Sequence, residues 1–199
     1  YYENVVVDKA VWLAGQNRET TIIDGGSLGN VTRIMADNVT IMGFTIRNGG
    51  AEHIGILVEF HNNVRIQNNN IANNLYGIGL WDSSNNIISG NNITGNYNGI
   101  RIKDYSTNNT IIENSIGNND YGIWLLWSSN NEFYYNNFIN NTIQAHVEDS
   151  LSNTWDNGYP SGGNYWSDYN GTDSFSGPYQ NVTGSDGIGD TPYTIDANN

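Results

Sequence analysis

Gly55, Gly77, Gly99 and Gly122 each begin the pattern Gly-apolar-x-apolar, and they follow one another at intervals of 22, 22 and 23 residues. A period of that length restricts the chain to a stack of similar turns, none of which can bury an apolar face alone. Other positions keep the same beat. Ile46, Ile71, Ile93, Ile116 and Phe138 are separated by 25, 22, 23 and 22 residues, and Ile41, Ile66, Ile88, Ile111 and Phe133 repeat those intervals. Asn63, Asn85, Asn108, Asn130 and Asn153 form a third column on nearly the same spacing.

Between columns, apolar and polar residues alternate over only a few positions, as in Gly77-Ile78-Gly79-Leu80 and Gly99-Ile100-Arg101-Ile102. That is strand periodicity, and helical spacing is not sustained anywhere. Each repeat therefore reads as two or three short strands joined by Asn-, Gly- and Ser-rich turns, whose residues tolerate left-handed backbone. Stacking such coils at strand spacing pairs each strand in parallel with its equivalents above and below. The expected fold is all-β: a single-stranded parallel β-helix, or solenoid, of roughly 22-residue coils. Ile56, Val58, Ile78, Leu80, Ile100, Ile102, Ile123, Leu125, Ala145 and Val147 are expected to point inward from one wall.

Two more asparagine columns follow the repeat: Asn69, Asn91, Asn114 and Asn136, and Asn74, Asn96, Asn119 and Asn141. An amide carries donors and acceptors, so such a column can bond side chain to side chain along the stack. The alternative is that Asn simply suits tight bends. Either reading is architectural.

The chain has 199 residues, no cysteine and a formal charge of -13, from seven Lys plus Arg against twenty Asp plus Glu. One elongated domain is expected, with coils over residues 1–154 and an irregular, aromatic-rich C-terminal cap over 155–199. The acidity argues against a nucleic-acid partner, and no run of eighteen apolar residues offers a membrane span. The opening Tyr1-Tyr2-Glu3-Asn4-Val5-Val6-Val7 begins in the middle of an expected strand, as a processed or excised piece does. Sequons at Asn30, Asn38, Asn92, Asn108, Asn140, Asn170 and Asn181 are glycosylation candidates and suit a secreted glycoprotein, although a chain rich in Asn and Thr also generates them by chance.

The coil Asn85-Asn86-Ile87-Ile88-Ser89-Gly90-Asn91-Asn92-Ile93, running on to Gly99-Ile100-Arg101-Ile102, resembles the repeats of the NosD-like parallel β-helix family. The opening Tyr2-Glu3-Asn4-Val5-Val6-Val7-Asp8-Lys9 with Thr21-Ile22-Ile23-Asp24-Gly25 is similar to its first coils. Gly163-Asn164-Tyr165-Trp166-Ser167-Asp168-Tyr169, then Asp186-Gly187-Ile188-Gly189-Asp190-Thr191-Pro192-Tyr193, resembles the tail of versions on archaeal cell surfaces. The resemblance implies a right-handed helix, an extracellular or cell-surface location, and kinship with carbohydrate-binding proteins and sugar hydrolases. The copper-delivery role behind the family's name is not expected here. Copper wants clustered His, Met or Cys, and this chain has no Cys, two Met, and His53, His61 and His146 in scattered repeats.

Outward positions on the strand after the repeat glycine are Leu57, Gly79, Arg101, Trp124 and His146, and then Glu59, Trp81, Lys103, Leu126 and Glu148. Asp82, Asp104, Trp127 and Asp149 come just past it. Aromatic faces suit sugars, and rim charges can bond hydroxyls or uronates. Trp81, Arg101, Lys103, Trp124, Trp127 and His146 are thus candidates for binding a cell-surface glycan or a neighbouring protein subunit, or they merely cover the wall. The expected function is a non-catalytic structural or adhesive module, with possible self-association through the solenoid ends into a surface layer or filament. The alternative is a polysaccharide lyase or glycoside hydrolase using Asp82 and Asp104 in adjacent coils, with Arg101 and Lys103 nearby.

From Trp155 the repeat stops, and Trp155, Tyr165, Trp166 and Tyr169 are expected to cover the open solenoid end. No cofactor is expected, calcium at Asp186 and Asp190 being the one ion the tail suggests, since acids alternating with glycines can wrap it. Ser185 before Asp186, and the segment from Phe175 to Gly184 that separates it from Asp173, weaken that signal.

Overall fold

The computed structural model describes residues 1–196, and positions 197–199 of the expected cap lie outside the described residues. The described residues form strands, bends and turns with no helix, stacked as a parallel β-solenoid. The first wall is a six-stranded parallel sheet of Trp12–Ala14, Thr40–Met42, Arg65–Gln67, Ile87–Ser89, Thr110–Ile112 and Glu132–Tyr134. The second runs through Ile22–Asp24, the beginnings of the long strands Thr45–Glu59 and Asn70–Trp81, then Asn92–Thr94, Ser115–Gly117, Asn137–Ile139 and Tyr165–Trp166. The third takes Val5–Val7, Thr32–Ile34, the ends of the same two long strands, Asn98–Lys103, Tyr121–Leu126 and Ile143–Glu148.

The sequence columns are columns in space. Ile46, Ile71, Ile93, Ile116 and Phe138 are in register on the second wall, and Ile41, Ile66, Ile88, Ile111 and Phe133 on the first. All ten are fully buried. On the third wall Ile56, Val58, Ile78, Leu80, Ile100, Ile102, Ile123 and Leu125 face the same core, and Ala145 and Val147 pack against it in the last full coil. Each large side chain so enclosed stabilises the stack by about 1.5–3 kcal/mol relative to exposure.

The repeat glycines are required by close approach between coils. A Cβ on Gly55, Gly77 or Gly99 would lie 2.6 Å from the carbonyl oxygen of Gly77, Gly99 or Gly122 respectively, well inside van der Waals contact. No larger residue fits without separating the coils.

Many bends share one arrangement: a residue with left-handed backbone is followed by a buried Asn or Ser, as at Asn68-Asn69, Asp82-Ser83 and Asn85-Asn86. Asn63, Asn85, Asn108, Asn130 and Ser152 have φ of 58°, 59°, 55°, 58° and 57°, a region Asn tolerates better than most residues. The residue after each bend turns inward. Asn69, Asn91, Asn114 and Asn136 form the expected ladder, each Nδ2 donating to the next Oδ1 at 2.9–3.1 Å. Asn74, Asn96, Asn119 and Asn141 form a second at 3.0–3.2 Å. The same oxygens also accept backbone N–H groups from the coil before, so buried bends are not left with orphan donors. The column assigned to Asn63, Asn85, Asn108, Asn130 and Asn153 needs one correction. Ser152 takes the last bend, and Asn153 instead extends a third buried column through Asn109 and Asn131, accepting from Asn131 Nδ2 at 3.2 Å.

The ladder does not stop where the sequence period does. Asn164 accepts from Asn136 Nδ2 at 3.0 Å, and Tyr165–Trp166 pairs in parallel with Asn137 and Phe138. Residues 157–162 loop out between them, closed by bonds from Asn157 N–H to Gly162 O and from Gly162 N–H to Gly158 O, which stretches the interval to 28 residues and hides the repeat. Trp155 stacks on Phe133 with centroids 4.2 Å apart, Trp166 on Phe138 at 4.3 Å, and Tyr193 on Trp166 at 4.2 Å. Three flat rings thus seal two aliphatic columns. Tyr169 packs beside them, whereas Tyr165 is turned outward and exposed. The segment after Phe175 is not wholly irregular: Phe175–Ser176 and Val182–Thr183 form an antiparallel pair.

Candidate functional site

The outer face of the third wall carries a second, smaller layer of packed side chains. Strand register stacks Ile54, Tyr76, Asn98, Tyr121 and Ile143 in one outward column, and Leu57, Gly79, Arg101, Trp124 and His146 in the next. Glu59, Trp81, Lys103, Leu126 and Glu148 form a third. Ile54 and Leu57 point away from the solenoid core, yet they are 3% and 2% exposed. The missing side chain of Gly79 explains part of this, since the Trp81 indole and Ile54 both close over that glycine. Apolar residues at outward positions 54 and 57 were the sequence signal for this layer, and the alternation pattern alone does not reveal it.

The aromatic rings do not lie bare. Arg101 Cζ sits 4.2 Å from the Trp124 ring centroid and 5.5 Å from that of Tyr76, and Lys103 Nζ sits 4.3 Å from that of Trp81. Such cation–π contacts fix the long cationic side chains against the wall. Trp124 is further held by Tyr121 at 4.7 Å and, edge-on, by His146 at 4.9 Å. Lys103 also pairs with Asp104 at 2.8 Å. Trp127 stands apart at the bend, 47% exposed, with Nε1 donating to Asp149 Oδ2 at 3.1 Å. Five of the six expected wall residues, Trp81, Arg101, Lys103, Trp124 and His146, therefore share one surface, and Trp127 borders it.

Asp82 and Asp104 occupy equivalent bends of adjacent coils, with φ of 45° and 58°. Asp104 is engaged by Lys103, and both lie on an open wall. A pocket of about 230 Å³ lies elsewhere, lined by Tyr1, Tyr2, Thr20, Ile22, Asp24 and Arg47. Its one carboxylate, Asp24, is filled by Arg47 Nε and Asn48 Nδ2, each at 2.9 Å.

In the tail the carboxylates gather loop N–H groups. Asp190 accepts from Ser174 N and Phe175 N at 2.9 and 3.0 Å and from Thr172 Oγ1 at 3.0 Å. Asp186 accepts from Gly177 N and Ile188 N, and Asp173 from Ser185 Oγ, Asp186 N and Gly187 N. The Ser174 N–H chiefly holds Asp190 below the usual carboxylate range, and the Ser185 hydroxyl does the same for Asp173. Of the sequon asparagines, Asn38, Asn92, Asn108, Asn140, Asn170 and Asn181 are exposed, whereas Asn30 uses its Oδ1 to accept the Ile54 N–H at 2.9 Å.

A family model described as Periplasmic copper-binding protein (NosD) matches residues 5–171. No curated protein matches the chain in sequence. Among solved structures, ORF18 of Geobacillus virus E2 is similar with a TM-score of 0.60 and 16% identity, over 67% of this chain and 31% of that one. This chain thus spans about a third of that protein's length, and the likeness is one of fold. His61 Nδ1 is bonded to Asp37 Oδ1 at 3.1 Å, His146 packs against Trp124, and no three His, Cys, Asp or Glu among the described residues are grouped to hold a metal ion.

Proposed function

Because the chain belongs to the NosD family, whose description is periplasmic, we propose that it is an extracellular or periplasmic, non-catalytic adhesive module that binds glycan along the outer face of its third wall. One observation carries this reading: Tyr76, Trp81, Tyr121 and Trp124 are gathered with Arg101 and Lys103 on a single flat face of rigid strands. Aromatic bodies with polar rims suit the mixed apolar and hydroxylated faces of sugars. A parallel sheet repeats its side chains every 4.7–4.9 Å or so, which presents an extended polymer with several contacts in a row.

A glycan array followed by titration of the Trp81→Ala/Trp124→Ala double variant tests it. Loss of about tenfold or more in affinity, with cooperative thermal unfolding preserved, is the expected result. Unchanged retention on every glycan removes the proposal. Sedimentation velocity without glycan is expected to give a monomer, and a concentration-dependent polymer would favour a self-assembling building block instead.

A further inference from the structure

The outer wall holds an unusual concentration of polar groups without protein partners. Eight buried side-chain polar atoms among the described residues lack a hydrogen-bond partner, and four belong to this wall: Trp81 Nε1, Trp124 Nε1, and both Nδ2 and Oδ1 of Asn98. Asn98 is fully buried and stands in register between Tyr76 and Tyr121. A buried amide with neither end satisfied costs several kcal/mol relative to water, on the order of 1–3 per group, and calls for a reason.

Arg101 is the second oddity. Arg33, Arg47 and Lys103 are each paired with a carboxylate at 2.8–2.9 Å. The Arg101 guanidinium makes no hydrogen bond or ion pair to any described residue, which among the cations only the exposed Lys9 and Arg65 share. Its guanidinium is half-buried between Tyr76 and Trp124, with the planar donor fork unused. The two indole N–H groups and the Asn98 amide are enclosed beneath the rings, so the half-buried Arg101 fork is the unused donor set nearest the surface of this patch.

We infer that the glycan of the preceding section is acidic, and that the wall recognises an anionic oxygen group on a sugar ring, with the carboxylate of a uronic acid as the form that best fits. This rests on the glycan reading. A carboxylate matches the guanidinium fork in plane and spacing, taking two parallel N–H···O bonds, which a hydroxyl does not. The sugar ring lies along the Tyr76, Tyr121 and Trp124 shelf, above the buried Asn98 amide. Lys103 is paired with Asp104, and Arg33 with Glu59, so Arg101 is the cation of this wall left to set the register and affinity of an anionic group.

Calorimetric titration at fixed ionic strength with three probes tests the inference: oligogalacturonate, a sulfated galactan oligosaccharide, and a neutral cello-oligosaccharide. Oligogalacturonate is expected to bind at least about tenfold more tightly than the neutral probe, as one charge-assisted bond pair provides. Arg101→Gln is expected to erase that margin, Arg101→Lys to keep only part of it, and Arg65→Gln, an exposed cation on another wall, to leave it intact. Equal binding of acidic and neutral probes by the wild type, or a margin that survives Arg101→Gln, overturns the acidic-glycan inference while the glycan reading stands. Tighter binding of the sulfated probe overturns the carboxylate assignment. Binding of none of the three probes, with none on the array, removes the glycan reading itself. If Arg101→Gln unfolds, the Arg101→Lys result decides, because it keeps a cation over Trp124 and removes the fork.

Discussion

Asn109 donates from Nδ2 to Asn131 Oδ1 at 2.9 Å and accepts the Asn86 N–H on its own Oδ1 at 2.9 Å, while its neighbour Asn108 is exposed with φ of 55°. Two adjacent asparagines therefore do unrelated work: one bends the chain, the other ties three coils together. Asn109→Ala leaves the Asn86 N–H and the Ser83 carbonyl without their partner, at about 1–3 kcal/mol each. A loss of about 3 kcal/mol in urea unfolding is expected. Asn108→Gly is expected to change stability by less than about 0.5 kcal/mol, because relief of left-handed strain offsets added freedom in the unfolded chain.

Gly99→Ala probes the closest approach between coils. The added Cβ meets Gly122 O at 2.6 Å and the Ile116 side chain at 3.0 Å, and neither a backbone carbonyl nor a fully buried Ile can give way cheaply. The coils must separate locally, at a cost of about 1–3 kcal/mol, as overpacked cores pay. A drop in the denaturation midpoint with an unchanged slope is the expected signature. An unshifted midpoint would mean that the stack is not closed at this column.

The glycine, isoleucine and asparagine columns were legible because each coil reuses the same contacts, so one physical requirement is written several times. Two things were less legible. The first is the continuation through Asn164 and Trp166, which one looped-out segment displaces from the period although the hydrogen bonds are unchanged. The second is the outer layer on the third wall. Arg101 and Trp124 are readable as outward residues, but that the guanidinium covers the indole depends on rotamers that spacing does not encode. Sequence reasoning also passed over Asn98 because it lies in no column of like residues: Tyr76 and Tyr121 flank it.

Trp166 is the hinge pin of the C-terminal closure, stacked on Phe138 on one side and Tyr193 on the other, with interplanar angles of 9° and 3°. Trp166→Ala removes both contacts at once and opens the column of Ile46, Ile71, Ile93 and Ile116 to water through Phe138. A loss of about 3–5 kcal/mol is expected, as for other buried aromatic truncations. Limited proteolysis is expected to cut first in residues 155–196 of this variant.

Acid dependence is expected to centre partly on Asp24. Burial opposes its ionisation, but the Gly26 N–H, Arg47 and Asn48 outweigh that and hold its pKa below the ordinary value. A carboxylate depressed in the folded state adds stability above the unfolded pKa of about 4, and that stability is lost as pH falls through the lower folded value. Asp24→Asn is thus expected to cost about 1–2 kcal/mol at neutral pH, allowing for the partly exposed Arg47, and to flatten the stability curve below about pH 4.

Alkaline behaviour isolates Tyr193. Burial chiefly, and then the Asp168 carboxylate that accepts its hydroxyl proton at 3.1 Å, push its pKa up to about 12. The unfolded chain ionises this phenol near pH 10, so folding gains from it fully below that value and loses the gain progressively as pH rises towards 12. Titration of tyrosinate absorbance is expected to show one late component, absent in Tyr193→Phe. The same variant keeps its ring on Trp166, so its neutral-pH stability is expected to fall by only about 1 kcal/mol, the worth of one hydrogen bond. A late component that persists without the Tyr193 hydroxyl would place the raised pKa on another tyrosine and remove the closed cap as its cause.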